Sequence, residues 1–362
     1  MGGILERDSA TIGDEAVSSA ILCQVPADNW YEGTAVRPNG QVLATRLDSP
    51  ELHVLDPCSA SGGGGSGDPK KAAAGRLVRR FDDATGITNI ARLEGYPEAY
   101  VLGACKIDLK DFRHEEYTLW RVEFPPGGGE DDEPTAEVIA RLPEDKRGHA
   151  ALCSVSRRTL LLGDGFRGCI WKLDVTTGAR EEFISDAATL GSASDEHDYG
   201  LNRLCRAVDY LWWNNPSKGL VCRVPIAVSE DGDVRITGPV EVVSDEAAQV
   251  DGLAVSEDGR RVYGTDYIDG MLWKMEVDPA TGKGTRKNLA TDVIAPSCVE
   301  LLRHGSGKGD SNWAKPKILV LCAGAVGSLG VIGAGLPERE KHNGGGIRVV
   351  VETKQETTVV GE

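Results

Sequence analysis

One short pattern recurs along this chain: a run of alternating apolar and polar residues that ends in turn residues. It reads GCIWKLDVTTG at 168–178 and GMLWKMEVDPATG at 270–282. Related segments lie at 51–57, 117–128, 220–232 and 347–353. Such alternation followed by a turn predicts a β-strand that leads into a hairpin. Because the pattern occurs six times, the sequence predicts a repeat protein built from strands.

The segments that precede each copy repeat as well. Directly before each copy lies an apolar strand that ends at a polar or glycine-rich loop, for example TLLLGDGFRG at 159–168. Another strand precedes this one. A fourth strand follows in five of the six units. The sixth unit has no obvious fourth strand, whereas the N-terminal strand at 20–26 has no unit of its own. We therefore predict an all-β fold, a six-bladed β-propeller of four-stranded blades closed by the N-terminal strand.

The repeat also predicts the domain organisation. Residues 1–19 form an N-terminal tail, and residues 20–362 form a single propeller. Three low-complexity stretches fall where the repeat places hairpin loops, and we interpret them as loop insertions near 58–75, 125–135 and 303–316.

The charge and the apolar pattern restrict the partners. A formal net charge of −16 opposes a nucleic-acid partner, because phosphate binding depends on clusters of Lys and Arg. The sequence has no secretory signal pattern and no run of about 18 apolar residues, which argues against a membrane partner. Nine cysteines without a C-x-x-C pair favour reduced, buried thiols. We expect a cytoplasmic protein that acts on a small molecule.

A ring of polar residues is expected on the propeller axis. The first strand of every blade lines the central channel, so the six starts of these strands converge on the axis. Each of these positions is polar: Glu32, Asn89, His149, Asn202, Asp251 and Ser297. A buried ring of this kind needs mutual hydrogen bonds, water, a metal or a ligand.

Several segments resemble one known family. WYEGTAVRPNGQVL at 30–43, GLNRLCRAVDYLWWNN at 200–215 and VDGLAVSEDGRRVYGTD at 250–266 are similar to the regucalcin/gluconolactonase-like six-bladed propellers. The similarity is greatest to the fungal branch, which includes hetero-Diels–Alderases of secondary metabolism. It extends through nearly the whole chain and is more specific for the fold than for the reaction.

The resemblance implies a divalent cation on the axis, held in the family by a Glu, two Asn and an Asp. Glu32, Asn202 and Asp251 match three of these positions, and His149 stands in the fourth. Imidazole suits zinc and other transition metals better than calcium, which takes oxygen ligands. Three interpretations of these four residues stay open: a divalent metal site, a metal-free catalytic or binding ring, and a structural ring.

A second set of candidates follows the second strands of the blades. These residues combine cationic donors with aromatic rings, as the wall of a small-molecule pocket does. The predicted substrate-binding residues are Arg46, Lys106, Phe166, Arg167, Trp212 and Tyr267. Trp30, Tyr31 and Tyr199 are expected near the same mouth. For any one aromatic residue, packing between blades is the alternative.

Three functions are compatible with this sequence. We favour a small-molecule tailoring enzyme of the hetero-Diels–Alder type, which joins an enone or quinone methide to an alkene and requires no cofactor. The first alternative is a metal-dependent lactonase or esterase, in which the cation polarises the carbonyl and Asp251 activates water. The second alternative is a non-catalytic propeller that binds a metabolite or a protein.

Overall fold

The structure is a computed structural model that describes residues 16–24, 29–55, 75–109, 113–126, 133–142, 151–193, 200–291, 293, 295–302, 317–322 and 346–353. The described elements are β-strands joined by turns. Within these ranges, no helix has the length and apolar character needed to cross a bilayer.

The described strands form six antiparallel sheets. The first sheet contains β2 (Tyr31–Val36), β3 (Val42–Arg46), β4 (Glu51–Leu55) and β5 (Arg76–Arg80). The second sheet contains β6 (Gly86–Arg92), β7 (Ala99–Asp108), β8 (Arg113–Glu123) and β9 (Thr135–Leu142). The third sheet contains β10 (Ala151–Ser154), β11 (Thr159–Asp164), β12 (Cys169–Asp174) and β13 (Arg180–Ser185).

The remaining three sheets follow the same order. The fourth contains β14 (Leu204–Ala207), β15 (Tyr210–Asn215), β16 (Leu220–Val228), β17 (Val234–Ile236) and β18 (Glu241–Ser244). The fifth contains β19 (Val250–Val255), β20 (Arg261–Asp266), β21 (Met271–Val277) and β22 (Gly284–Ala290). The last contains β23 (Pro296–Leu302), β24 (Lys317–Cys322), β25 (Gly346–Thr353) and β1 (Ala16–Gln24).

The closure of the last sheet agrees with the sequence prediction. Strand β1 pairs antiparallel with β25, from Ala16 opposite Thr353 to Gln24 opposite Gly346. The strand begins inside the predicted tail 1–19 and ends two residues before the predicted limit at 26. The predicted all-β propeller fold is confirmed, whereas the single-domain organisation stays a prediction. The three predicted loop insertions lie largely outside the described residues.

The fourth sheet departs from the four-stranded pattern. The start of β16 pairs with β18 through Val221 and Arg223, and its end pairs with β17 through Val228. Pro225 lies between the two pairings and has no N–H to donate, so one strand serves two short partners. The predicted fourth strand of this unit corresponds to β18.

The apolar core lies between neighbouring sheets. Separate clusters pack the first sheet on the second, the second on the third, the third on the fourth, the fourth on the fifth and the fifth on the last. The first strands β2, β6, β10, β14, β19 and β23 each lie against the next, and β23 lies against β2. This ring of strands surrounds the axis and brings their starting residues together.

Candidate functional site

A repeated backbone contact fixes the starts of three first strands. Gly33 donates its N–H to the Thr45 hydroxyl over 3.0 Å, and Gly252 donates to the Thr265 hydroxyl over 2.8 Å. In the fourth sheet, Arg203 donates its backbone N–H to Asn214 Oδ1 over 2.7 Å. The residue just before each donor is one of the predicted ring residues, so the second strand of each sheet positions the ring.

Close packing explains the glycine that follows one of these acids. A side chain at Gly252 would approach the Thr265 hydroxyl to 2.7 Å and the backbone nitrogen of Val299 to 2.8 Å. Glycine therefore lets β19 lie close to β23 and brings Asp251 next to the axis.

Three of the four predicted catalytic residues meet on the axis. Asn202 Nδ2 donates to Asp251 Oδ1 over 2.9 Å. Asn214, which is fully buried, donates to the backbone carbonyl of Asp251 over 2.9 Å and holds the starts of β14 and β19 together. Glu32 joins this group through Arg203. The fourth predicted residue, His149, lies outside the described residues, as does Tyr199.

Arg203 is the residue that links the ring, and the sequence prediction missed it. Its guanidinium Nη2 donates to Glu32 Oε1 over 2.6 Å and lies 3.4 Å from Asp251 Oδ1. The backbone carbonyls of Ser297 and Glu32 lie 3.1 and 3.3 Å from the same nitrogen. Arg203 is only 5% exposed.

A signal for Arg203 was present in the sequence. In the other five units, the residue after the ring position is uncharged: Gly33, Ile90, Ala150, Gly252 and Cys298. At the sixth such position the residue is charged, and it is Arg203. A buried arginine needs acidic partners, so this exception indicates a contact with the acidic residues of the ring.

The ring contains more acidic than basic groups among the described residues. Within the described residues, one guanidinium faces two carboxylates, Glu32 and Asp251. Burial and the charge of Glu32 together raise the pKa of Asp251 to about 7, against the opposing effects of Arg203 and of the hydrogen bond from Asn202. Asp251 can therefore donate or accept a proton near neutral pH.

Two other ring positions have structural partners. Ser297 is fully buried, and its hydroxyl donates to the Tyr31 carbonyl over 2.9 Å. Asn89 is also buried, and its Oδ1 accepts the backbone N–H of Ile90 over 2.8 Å. The Ser297 contact joins β23 to β2, whereas the Asn89 contact is local to β6.

An aromatic pair lies beside the acidic residues. The rings of Trp30 and Tyr267 are stacked, with centroids 6.4 Å apart, and Trp30 Nε1 donates to Glu32 Oε2 over 3.1 Å. The Tyr267 hydroxyl is buried and has no hydrogen-bond partner among the described residues. Burial and the charges of Asp251 and Glu32 raise the pKa of Tyr267. Of the six predicted substrate-binding residues, Tyr267 is the one that the described contacts bring to the ring.

The three cationic residues among the predicted substrate-binding residues form ion pairs with other residues. Arg46 forms ion pairs with Asp48 and Glu51. The exposed Lys106 forms an ion pair with Glu116 over 2.8 Å. Arg167 is also exposed, and its Nε lies 3.7 Å from the buried Asp164.

The two remaining aromatic predictions differ in their surroundings. Trp212 is fully buried in the core between the fourth and fifth sheets, where the Arg223 guanidinium lies 5.1 Å from its ring centroid. Phe166 is half-buried in the turn between β11 and β12. For Trp212, the structure matches the alternative of packing between blades.

A cavity of about 560 Å³ runs along the first strands from the ring toward their C-terminal ends. Its described walls include Arg203, Ala35, Cys153, Cys205 and Cys298. None of the six predicted substrate-binding residues is among the described residues that line it. Arg203 Nε and Nη1 are buried and have no hydrogen-bond partner in the described part of the chain.

The thiols in this cavity are protonated. Burial raises the pKa of Cys153 to about 12 and that of Cys298 to about 11. A thiol, unlike a thiolate, is a poor nucleophile and a poor metal ligand. Here the thiols act as small apolar wall groups, in agreement with the sequence prediction, and Cys153, Cys205 and Cys298 are free.

The described residues do not fit the divalent cation that the family resemblance implied. Calcium needs oxygen ligands at about 2.3–2.6 Å, but the oxygens of Glu32 and Asp251 already surround a guanidinium nitrogen. A metal ion bound to both carboxylates would lie beside this positive charge. Within the described ranges, no group of three or more His, Cys, Asp or Glu residues is placed to hold a metal.

Sequence comparison finds two distant fungal relatives, and no protein-family model matches the chain. A protein from Phoma sp. is 26% identical over 296 residues, which cover 74% of this chain and 79% of that protein. A protein from Sarocladium schorii is 25% identical over 246 residues, or 60% of this chain, and the match spans 56% of that protein's length. Both are provisionally named hetero-Diels-Alderases.

Solved structures show the same fold. A calcium-binding protein, regucalcin from Agrobacterium tumefaciens, has a TM-score of 0.58 at 13% identity, covering 92% of this chain and 94% of its own. A luciferin-regenerating enzyme has a TM-score of 0.58 at 12% identity, covering 93% of this chain and 97% of its own. At this identity, the similarity shows the propeller fold alone.

Proposed function

We propose that this protein is a small-molecule tailoring enzyme of fungal secondary metabolism that catalyses a hetero-Diels–Alder cyclisation inside the propeller. The observation that carries the proposal is Arg203, a buried cation at the ring end of the cavity. Two of its nitrogens have no hydrogen-bond partner among the described residues. The provisional names of the two fungal relatives support the same class of reaction.

The chemistry of the cycloaddition suits this arrangement. The enone or quinone methide and the alkene form one C–C and one C–O bond, and three π bonds become two σ bonds and one π bond. No group leaves, no proton is transferred, and no cofactor is needed. Electron density rises on the carbonyl oxygen as the bonds form, so a fixed N–H donor stabilises the transition state.

The cavity supplies the second requirement, which is orientation. Its volume of about 560 Å³ lies within the usual range for small-molecule sites. Small side chains such as Ala35 and Cys205 line it, so both reacting groups can be held in contact. In this proposal, Arg203 Nε or Nη1 donates to the carbonyl oxygen at the ring end of the cavity. The Tyr267 hydroxyl, which lies beside the ring and outside the described cavity wall, is a second candidate donor.

Filling the cavity tests its role. Cys205→Leu adds volume to the wall, and we expect it to reduce formation of cycloadduct from a quinone methide and an alkene at least tenfold. Ala136→Leu is the matched control, because Ala136 is a half-buried position on the outer strand β9 and does not line the cavity. If Cys205→Leu keeps full activity while its melting temperature matches that of the control, the substrate does not occupy this cavity.

The raised pKa of Asp251 favours a second candidate, hydrolysis of a lactone. Asp251 would take a proton from water while an Arg203 N–H polarises the carbonyl. Asp251→Asn then removes the base and should reduce hydrolysis by several orders of magnitude. In cycloaddition the same change should reduce the rate about tenfold or less, because no proton is transferred.

Assays of wild type and Asp251→Asn on both substrate classes separate the two reactions. Lactone turnover that vanishes in Asp251→Asn would contradict the cyclase. Cycloadduct of a single stereochemistry, formed by both proteins, would contradict the hydrolase. A wild-type protein that binds both substrates and converts neither would point to the non-catalytic alternative.

A further inference from the structure

The environment of Arg203 Nη2 is that of a bound cation. Four oxygens lie within 2.6–3.4 Å of this nitrogen, two from carboxylates and two from backbone carbonyls. They come from Glu32, Asp251 and Ser297, at the starts of three different first strands. Carboxylate and carbonyl oxygens are also the ligands that hard cations take.

The number of hydrogens on this nitrogen supports the comparison. A terminal guanidinium nitrogen carries two hydrogens, so it cannot make four separate hydrogen bonds to these oxygens. The oxygens therefore stabilise its positive charge collectively, as the ligands of a metal ion do.

We propose that Arg203 is the built-in cation of the axial site: its guanidinium takes the place of a divalent ion between Glu32 and Asp251, and the site forms without metal. This inference does not rest on the proposed reaction, because it concerns what holds the carboxylates together.

Displacement of Arg203 by a metal is disfavoured by burial. The side chain is almost completely buried, and its charge is compensated by Glu32 and Asp251. A metal bound to these carboxylates would leave the guanidinium buried without its counter-charges, which is strongly unfavourable. Glu32 and Asp251 therefore do not bind the arginine and a divalent ion together, and in this chain they bind the arginine.

The first part of the test is metal binding by the wild-type protein. After treatment with a chelator, the protein is titrated with CaCl₂, MnCl₂ or ZnCl₂ by calorimetry and by thermal melting. We expect no stoichiometric binding and a melting-temperature change below about 1 °C at millimolar ion. Stoichiometric binding with a rise of several degrees, absent in Asp251→Asn, would overturn the proposal.

The second part of the test removes the arginine, so that a metal ion can take its place between the carboxylates. Arg203→Met removes the charge and keeps most of the buried volume, so Glu32 and Asp251 face each other without a cation. We expect a lower melting temperature that millimolar CaCl₂ raises by at least about 5 °C. Arg203→Lys keeps a cation and should not respond to CaCl₂, nor should the double variant Arg203→Met/Asp251→Asn, which has lost one of the two carboxylates.

Either of two results with Arg203→Met would contradict the proposal. If Arg203→Met melts like the wild type, the arginine does not hold the carboxylates. If CaCl₂ affects Arg203→Met and the double variant equally, the ion binds elsewhere on the acidic surface, and the proposal also fails. Should Arg203→Met not fold alone, the yield of folded protein after refolding with and without CaCl₂ replaces the melting temperature, with the same expectations.

Discussion

Two clusters of charged residues in this molecule have opposite ratios of acidic to basic groups. In the first sheet, the single carboxylate of Glu51 contacts three donors: Arg46 at 3.0 Å, Arg80 at 2.7 Å and His53 at 3.0 Å. On the axis, the single guanidinium of Arg203 faces two carboxylates. We call the first group the Glu51 cluster and the second the Arg203 cluster.

The pKa values show what the difference means. Burial acts to raise the pKa of Glu51, but the hydrogen bond from His53 and the charges of Arg46 and Arg80 outweigh it, so this pKa is lowered. In the Arg203 cluster, burial and Glu32 outweigh the arginine, and the pKa of Asp251 is raised. The Glu51 cluster is neutralised within the protein, whereas the Arg203 cluster keeps titratable and hydrogen-bonding capacity near the cavity.

The largest expected effect compares one arginine from each cluster. Arg203→Met leaves two buried carboxylates without a cation and should lower the free energy of unfolding by about 3–5 kcal/mol. Arg46→Met should cost about 1 kcal/mol, because Glu51 keeps Arg80 and His53 as partners and Asp48 keeps the backbone N–H of Trp30. Urea unfolding at pH 7.5 measures both. Equal losses would mean that the two clusters do not differ in the way proposed.

The next effect is a difference in pH dependence. The raised pKa of Asp251 means that between about pH 4 and pH 7 the folded protein holds a proton that the unfolded chain releases. This contribution to stability is complete below the unfolded pKa and is lost as the pH rises through about 7. Asp251→Asn lacks this linkage, so its stability relative to wild type should increase by on the order of 2 kcal/mol between pH 5 and pH 8.

For Glu51→Gln we expect the opposite dependence of stability on pH. The lowered pKa of Glu51 stabilises the fold above the unfolded pKa, and this contribution is lost as the pH falls through the folded pKa. The variant should therefore be less stable than wild type at pH 7, and the deficit should shrink toward pH 4. Urea unfolding across this range measures both variants, and parallel curves would contradict the assignment of the two pKa shifts.

The sequence predicted the fold and part of the site for one reason, which is the repeat. Glu32, Asn202 and Asp251 were found because they occupy equivalent positions in repeated units, and the closing strand was found because one unit lacked its fourth strand. The substrate-binding residues were predicted from residue type and loop position alone. A sequence does not show that the charge of Arg46 is taken up by Asp48 and Glu51, because these partners are set by side-chain packing.

The third comparison uses two tyrosine hydroxyls. Tyr31, beside the Glu51 cluster, is hydrogen-bonded to His53 Nδ1 at 3.0 Å, whereas the Tyr267 hydroxyl lacks a partner in the described part of the structure. Tyr31→Phe should lower the free energy of unfolding by about 1 kcal/mol and leave cycloadduct formation unchanged. Tyr267→Phe should leave stability unchanged or slightly higher and reduce cycloadduct formation about tenfold.

Melting curves and initial rates on both tyrosine variants make this measurement. The informative result is the crossed pattern, in which one variant loses stability and the other loses activity. If Tyr267→Phe is fully active, its hydroxyl does not contact the substrate, and Arg203 is left as the donor.

The smallest expected effect belongs to Lys106, which lies outside both clusters and provides the baseline for the comparison. Its side chain is 48% exposed, and that of its partner Glu116 is 57% exposed. Exposed ion pairs contribute little because water and salt screen them, so Lys106→Ala should leave the free energy of unfolding almost unchanged. Any difference should vanish in about 1 M NaCl, where the screening length is only a few ångströms. Steady-state kinetics of the same variant test the sequence prediction that Lys106 binds substrate: an unchanged KM places it outside the pocket, whereas a KM raised severalfold at constant kcat would put it in the pocket wall despite its pairing with Glu116.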